Sequence, residues 1–355
     1  MSWARGVEAV LGRRLGWAAV AAVVAGVAAF ATGLGGGSAP RTFGALIANW
    51  LFFTGLAMGA VTFRAFFQIM PGRWSRPLVA LAGSNVHVAP AALVLLAVMV
   101  AGATAAPWVA NPSGWLATPV LVARQLLLNA LLFGLAWRWF RRPPGPVAAP
   151  SLSAAVTFCI LYTVVLSCWA FDFVLGTDPV FGSTIIGPYL FVGAFVAGTG
   201  LLTLLALARG ALTEAARRDV TSLVFALSII WMYLFASQFL TIWYGNLPDE
   251  TAFTLRRMAG GWGWIGLAVL GLVFVAPFLG LLHPAGRRSP RVLATLLVGQ
   301  LLGLWLNCQL MVVPSFPMAD AAPIGLRNLL IGLGILGAFA LSVAPALERE
   351  VPAGA

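Results

Sequence analysis

Apolar residues run along this chain in long blocks, separated by short segments rich in arginine, proline, glycine and serine. Ten blocks reach the length needed to cross a bilayer, about 20 apolar residues each. They run roughly 16–34, 43–70, 78–105, 118–140, 152–175, 185–208, 220–244, 262–283, 291–313 and 324–346. Apolar and polar positions do not alternate within them, so each block predicts a helix and not a barrel strand. The connecting segments are too short to fold as extramembrane domains. The pattern therefore predicts an all-α polytopic membrane protein, a single integral membrane domain over 1–355. The first block follows Arg5, Arg13 and Arg14, the layout of a signal peptide. It exceeds a typical signal core, and we read it as a retained helix.

Composition agrees with this pattern. Of 355 residues, 61% are hydrophobic and 9% charged, against about a quarter charged in a soluble domain. A water-soluble globule and a disordered chain are both excluded. The net charge of +11 comes from 21 basic and 10 acidic residues, and all the basic ones are arginine. These arginines are scattered in ones and twos between apolar blocks, which indicates membrane topology and no nucleic-acid partner. Arg5, Arg13, Arg14, Arg73, Arg76, Arg138, Arg141, Arg142, Arg209, Arg217, Arg218, Arg287, Arg288, Arg291 and Arg349 fall on one side. Only Arg41, Arg256 and Arg257 fall on the other. The positive-inside bias predicts that both termini are cytoplasmic, in a multi-pass protein of a bacterial inner membrane. Asp178, Asp249, Glu250 and Asp320 follow a weaker opposite trend, on the outer side. The outer loops are also rich in Pro, Gly and Trp, as in Pro107-Trp108 and Asn111 to Trp115.

Ionisable groups inside a span cost about 2.5–3.5 kcal/mol each at mid-membrane, so each needs an account. Arg124 and Asp172 lie at similar depth near the outer ends of the fourth and fifth blocks, where an ion pair would relieve both. That pair either pins two helices together, or makes Asp172 a proton or hydrogen-bond acceptor for a ligand, tuned by Arg124. Gln238 and Tyr244 lie near the same level, and Asn307 and Gln309 approach it. They either line a polar cleft with Asp172 or make interhelical hydrogen bonds. His87 lies near mid-membrane, as a packing residue or as a proton-relay member. Arg64 is expected to snorkel toward the inner surface. Gly55 and Gly59, and Gly193 and Ala197, stand at the spacing of close helix contacts.

Redox ligands are sparse. Cys159, Cys168 and Cys308 sit inside apolar blocks without a CxxC motif, and read as buried free thiols. The two histidines, His87 and His283, differ in depth by roughly 13 Å at 1.5 Å rise per residue, which does not suit a bis-histidine haem. No metal site and no covalently bound cofactor are expected.

Two stretches carry more than composition. One runs from Ala170-Phe171-Asp172-Phe173 through Gly176-Thr177-Asp178-Pro179 to Gly187-Pro188-Tyr189-Leu190-Phe191-Val192-Gly193. The other is Ser237-Gln238-Phe239-Leu240-Thr241-Ile242-Trp243-Tyr244-Gly245-Asn246-Leu247-Pro248-Asp249-Glu250-Thr251. Both resemble signature segments of NrfD-like membrane subunits of alternative complex III, a bacterial quinol:cytochrome c oxidoreductase. The second resembles in particular its ActF subunit type. Arg73 to Pro77, Phe133 to Arg142, Arg124, and Pro314 to Pro317 extend the likeness over most of 43–317. Asn307 and Gln309 stand where that family often places an acidic residue.

The resemblance implies a polysulfide-reductase-like fold of two four-helix bundles, 43–175 and 185–313, with peripheral helices at 16–34 and 324–346. It implies an integral membrane subunit of a quinol-oxidising respiratory complex with no redox centre of its own. Its partners would be an iron–sulfur subunit, multihaem cytochrome c subunits and a second NrfD-like membrane subunit. It would anchor these subunits and bind menaquinol near the outer face. Asp172 would then be the acceptor, Arg124 its charge partner, and Gln238 and Tyr244 the neighbouring wall; Asn85 and His87 stand where the family more typically has a carboxylate region. A secondary transporter or channel, and a ligand-free scaffold subunit, stay open from the residues alone. A fluorescent protein that matures only in the cytoplasm, fused after Ala355, is expected to glow, and a dark fusion would reverse the topology.

Overall fold

The computed structural model describes residues 3–35, 37–102, 114–142, 150–178, 180–283, 286, 288–316 and 322–350. The Trp108 and Asn111 part of the loop before Thr118, and Asp320, lie outside the described residues. Among the described residues there is no strand, and ten helices are long and apolar enough to cross a membrane. The chain is an all-α polytopic membrane protein. In chain order we number α1 Trp3–Gly33, α2 Ala39–Ile69, α3 Arg73–Ala101, α4 Thr118–Phe140, α5 Leu152–Leu175, α6 Ile186–Ala208 and α7 Glu214–Gly245. There follow a short helix α8 Pro248–Met258, then α9 Gly261–Leu282, α10 Pro290–Ser315 and α11 Leu326–Glu350.

Local sequence sets the helix ends. The hydroxyls of Ser151, Thr213 and Ser289 accept the backbone N–H groups of Ala154, Ala216 and Val292, capping α5, α7 and α10. Proline occupies the first turn of α2, α4, α8 and α10, where its missing N–H costs nothing. α7 ends on Asn246 in the left-handed region, φ 46°, one of the few conformations that lets the chain turn at once into α8.

Four spans are irregular inside: α1 kinks at Gly12, φ 72°, and three others change helix type or pitch. α3 tightens to a 3₁₀ turn over Gly83–Val88, just before Pro90, which removes a donor and crowds the preceding turn. α9 widens to a π turn over Gly271–Val275, where Pro277 deletes the next helical hydrogen bond. α5 ends in a π turn over Phe171–Leu175, closed by the Gly176 N–H on the Phe171 carbonyl at 2.9 Å. Asp172 sits in that widened turn.

α2 is the central helix. It packs on α3, α5, α6, α10 and α11. Helices α2 to α5 close one ring of neighbours, and α6, α7, α9 and α10 close a second. The rings meet where α2 crosses α6. A Cβ on Gly59 would stand 2.0 Å from the Ala194 carbonyl oxygen, and one on Gly198 2.2 Å from the Ala60 nitrogen. Glycine is required at both positions because backbone lies on backbone. Gly59 thus serves the contact its spacing suggested, whereas Gly193 faces Trp231 and Leu304 at ordinary distance. α1 and α11 pack antiparallel outside the rings, with Gly26 against Gly334 and Gly337 against Ala19.

Trp50 and Trp169, both fully buried, lie 4.6 Å apart at the centre of the first ring. The Trp50 indole donates to the Ala92 carbonyl at 2.9 Å. Arg64 does not snorkel. It is buried, 2% exposed, and donates to the Phe140 and Arg142 carbonyls at 2.9 and 2.7 Å, capping the end of α4.

Gly59→Leu is expected to lower the melting temperature of the detergent-solubilised protein by the cost of overpacking, roughly 1–3 kcal/mol or more. Gly134→Ala, with nothing within 4 Å of the new Cβ, is the control and is expected to be neutral or stabilising.

Candidate functional site

The Asp172 carboxylate is fully buried and held from three directions. Arg124 of α4 donates through Nε to Oδ2 at 3.0 Å and through a terminal nitrogen to Oδ1 at 2.7 Å. The Trp115 indole donates to Oδ1 at 2.9 Å, and the Gln125 amide donates to Oδ2. A carboxylate has about four acceptor positions, and all are taken. The bidentate guanidinium contact is the strong form of the pair.

The same arginine closes the cluster on its other side. Its terminal nitrogens donate to the Trp115 carbonyl at 3.2 and 3.1 Å, and the guanidinium lies 3.9 Å from the centre of the Trp115 ring. Asn129, one turn along α4, donates to the Gln125 side-chain oxygen at 3.1 Å and so orients that amide. The cluster locks the last turn of α5 to α4 and to the turn ahead of it. Its chemistry is that of a charge-compensated clamp.

The structure brings Arg124 and Asp172 together, as their depth along the two helices suggests. Among the described residues, neither Gln238 nor Tyr244 bonds to Asp172. Gln238 lines a separate half-open cavity of about 490 Å³ between α7, α8 and α9, whose walls include Tyr189, Phe239, Ile242, Arg257, Trp264, Leu267 and Met311. Tyr244 is 86% exposed and lines neither. His87 lies in the 3₁₀ turn of α3, with Nδ1 3.1 Å from the Ser84 carbonyl oxygen and its ring edge-on to Trp137 at 5.1 Å.

Asn307 and Gln309 also keep apart from Asp172. Asn307 accepts from the Tyr189 hydroxyl at 2.7 Å. Gln309 accepts from Asn328 at 2.9 Å, and the Asn328 side-chain oxygen accepts from Asn49 at 2.9 Å. Trp305 then donates to Asn49 at 2.7 Å. This buried relay ties α2, α10 and α11 together.

A second charged cluster covers the same end of the molecule. Arg256 and Arg257, in the last turn of α8, share one carboxylate, Asp178, at 2.7 and 3.6 Å. Phe181 stacks on Phe253 with ring centres 3.8 Å apart. Arg257 is 5% exposed and also donates to the Phe253 and Met311 carbonyls and to the Ser315 hydroxyl. Burial pulls its guanidinium down to about 9; Asp178 opposes the fall and Arg256 adds to it.

Trp115, Gln125, Asn129, Asn49 and Asn328 are the site and network residues that pattern reading missed. Gln125 and Asn129 carry one usable signal, an i, i+4 amide pair beside an arginine within a span. The cysteines are free thiols. Among the described residues, no three His, Cys, Asp or Glu side chains come together as a metal group. Compared with known proteins, the chain matches no protein family and no curated relative.

Asp172→Asn is expected to destabilise the solubilised protein by up to about 3 kcal/mol, because the partly buried Arg124 is left without its counter-charge. The paired change Arg124→Met with Asp172→Leu is expected to recover most of that loss. Comparing the two melting temperatures checks the clamp.

Proposed function

We propose that this chain is an integral membrane subunit of a quinol-oxidising respiratory complex of the alternative complex III type, of the NrfD-like, ActF kind. One observation carries the reading. The two stretches that bear the resemblance lie far apart in sequence yet converge at the arginine-poor end. Tyr189 of the first and Gln238 and Ile242 of the second line one cavity. Asp178 and Phe181 of the first hold Arg256 and Phe253, just beyond the second.

In this reading the arginine-poor end faces outward in a bacterial cytoplasmic membrane, and the arginine-rich end faces the cytoplasm. The outer end is a braced platform on which an iron–sulfur subunit and multihaem cytochrome c subunits dock, beside a second membrane subunit of similar fold. The redox centres belong to those partners. Asp172 and Arg124 act as positioning residues that hold the end of α5. Menaquinol binding near Asp172 is the finer part of the reading, and it requires Trp115, half exposed, to leave the carboxylate. The saturation of Asp172 favours a second reading, a scaffold subunit of the same complex that binds no quinol there.

The test is purification of the tagged chain from its native membrane in mild detergent. Co-isolation of iron–sulfur and haem-staining polypeptides with quinol:cytochrome c activity is the expected result. A chain that isolates alone, from a strain whose quinol oxidation survives its deletion, would overturn the proposal.

A further inference from the structure

The geometry points to a lipid site: we propose that the cavity between α7, α8 and α9 binds one anionic phospholipid of the surrounding bilayer. Its phosphate would sit at the start of α9, and an acyl chain would lie along the groove. The proposal does not depend on the respiratory reading.

The groove is apolar along most of its length, walled by Phe239, Ile242, Trp264, Leu267, Leu270 and Leu310. Its volume of about 490 Å³ lies within the range of small-molecule pockets, roughly 300–1,000 Å³. The flanking faces are those of spanning helices, with Leu240 58%, Trp264 76% and Leu267 59% exposed. A groove in that setting opens onto hydrocarbon, where the available filler is a lipid chain.

The other end of the cavity is built for an acceptor with negative charge. Arg257 lines it and is 5% exposed; its terminal nitrogens are engaged, and its Nε–H, which has no partner among the described residues, is shielded from the cavity surface, so the residue contributes charge and not a free donor. α9 starts there at Gly261; the Trp262 N–H is taken by the Ala259 carbonyl at 3.2 Å, and no side chain caps the rest of the first turn. Gly260 and Gly263 line the cavity, so backbone comes close to any occupant. Uncapped N–H groups at a helix start favour phosphate through hydrogen bonds and the helix dipole. The Gln238 amide lines the same cavity and hydrogen-bonds no side chain among the described residues.

Charge complementarity selects an anion. Among the described residues, Arg256 and Arg257 share the carboxylate of Asp178, which leaves one positive charge in excess. The acidic residues of α8, Asp249 and Glu250, stand in its first turn, at the end away from the arginines. Burial of the Arg257 guanidinium is only partly offset by Asp178. A phosphate at the start of α9 supplies the missing counter-charge.

The experiment uses the purified full chain in detergent. Bound species are counted by native mass spectrometry, and melting shifts are read on adding phosphatidylglycerol, phosphatidylcholine, inorganic phosphate or menaquinone. Phosphatidylglycerol is expected to bind about tenfold more tightly than phosphatidylcholine. Inorganic phosphate alone is expected to give no shift. Arg257→Gln should erase the preference for phosphatidylglycerol. Because that change also disturbs the Asp178 cluster, Gly266→Leu is the second variant. A Cβ at Gly266 has room, 3.8 Å from Leu310, and the longer side chain fills the groove, so phosphatidylglycerol binding should be lost with the fold intact. Equal binding of the two lipids would overturn the proposal. So would full binding in Gly266→Leu, a shift with phosphate alone, or displacement of the lipid by menaquinone.

Discussion

A polar group buried in a bilayer protein has no water to turn to, so each must find its partner inside the chain. The rest of this structure depends on that constraint. With 9% charged residues, the chain spends its few buried ions on backbone as well as on counter-ions. Arg64 takes the open carbonyls at the end of α4, Arg124 takes the Trp115 carbonyl, and Arg257 takes the Met311 carbonyl. Each sits where a helix stops or a turn begins, where carbonyls would otherwise be orphaned. The exclusive use of arginine suits this task. Its planar fork reaches a carboxylate and a carbonyl at once, and its charge persists under burial.

Inside the membrane the hydrophobic effect does not pull helices together, because lipid is as apolar as leucine. Contact then depends on close approach and on interhelical hydrogen bonds. The chain uses both, in different places. α2 and α6 meet through Gly59 and Gly198, backbone on backbone. α2, α10 and α11 meet through Asn49, Trp305, Gln309 and Asn328, where a glycine, Gly332, lets the Asn49 side chain lie against the α11 backbone. α2 takes part in both, which explains why it is central and almost wholly buried.

The helices were legible in the sequence because their signal is length and hydropathy, which a bilayer reads one span at a time. The Arg124–Asp172 pair was legible for a related reason. Two ions at matching depth on antiparallel neighbours have few other partners. Gln238 and Tyr244 shared that depth, yet they do not join the pair. Depth is a single coordinate, and rotation about the helix axis decides the rest. Rotation also explains why Arg64 caps a helix where snorkelling was expected, and why Asn307 and Gln309 turn to Tyr189 and Asn328. Trp115 and Gln125 escaped notice because neither is charged, and only the fold shows that the carboxylate needs them.

Satisfaction of hydrogen bonds separates the two polar regions at the arginine-poor end. The Asp172 cluster is closed, with every acceptor position of the carboxylate filled and both faces of Arg124 engaged. A closed network rigidifies, and it resists a ligand because entry must first break bonds of the charged kind. The cavity beside α9 is open. It combines two arginines on one carboxylate, a helix start that no side chain caps, and an amide that bonds no side chain among the described residues. Unmet donors carry a desolvation cost that an incoming acceptor removes, so their binding is strengthened by the same term that penalises the empty site. The molecule thus uses its most strongly paired charge to hold a helix end in place. It leaves a pair of arginines that share one carboxylate beside an apolar groove, where an amphiphile from the bilayer can reach them.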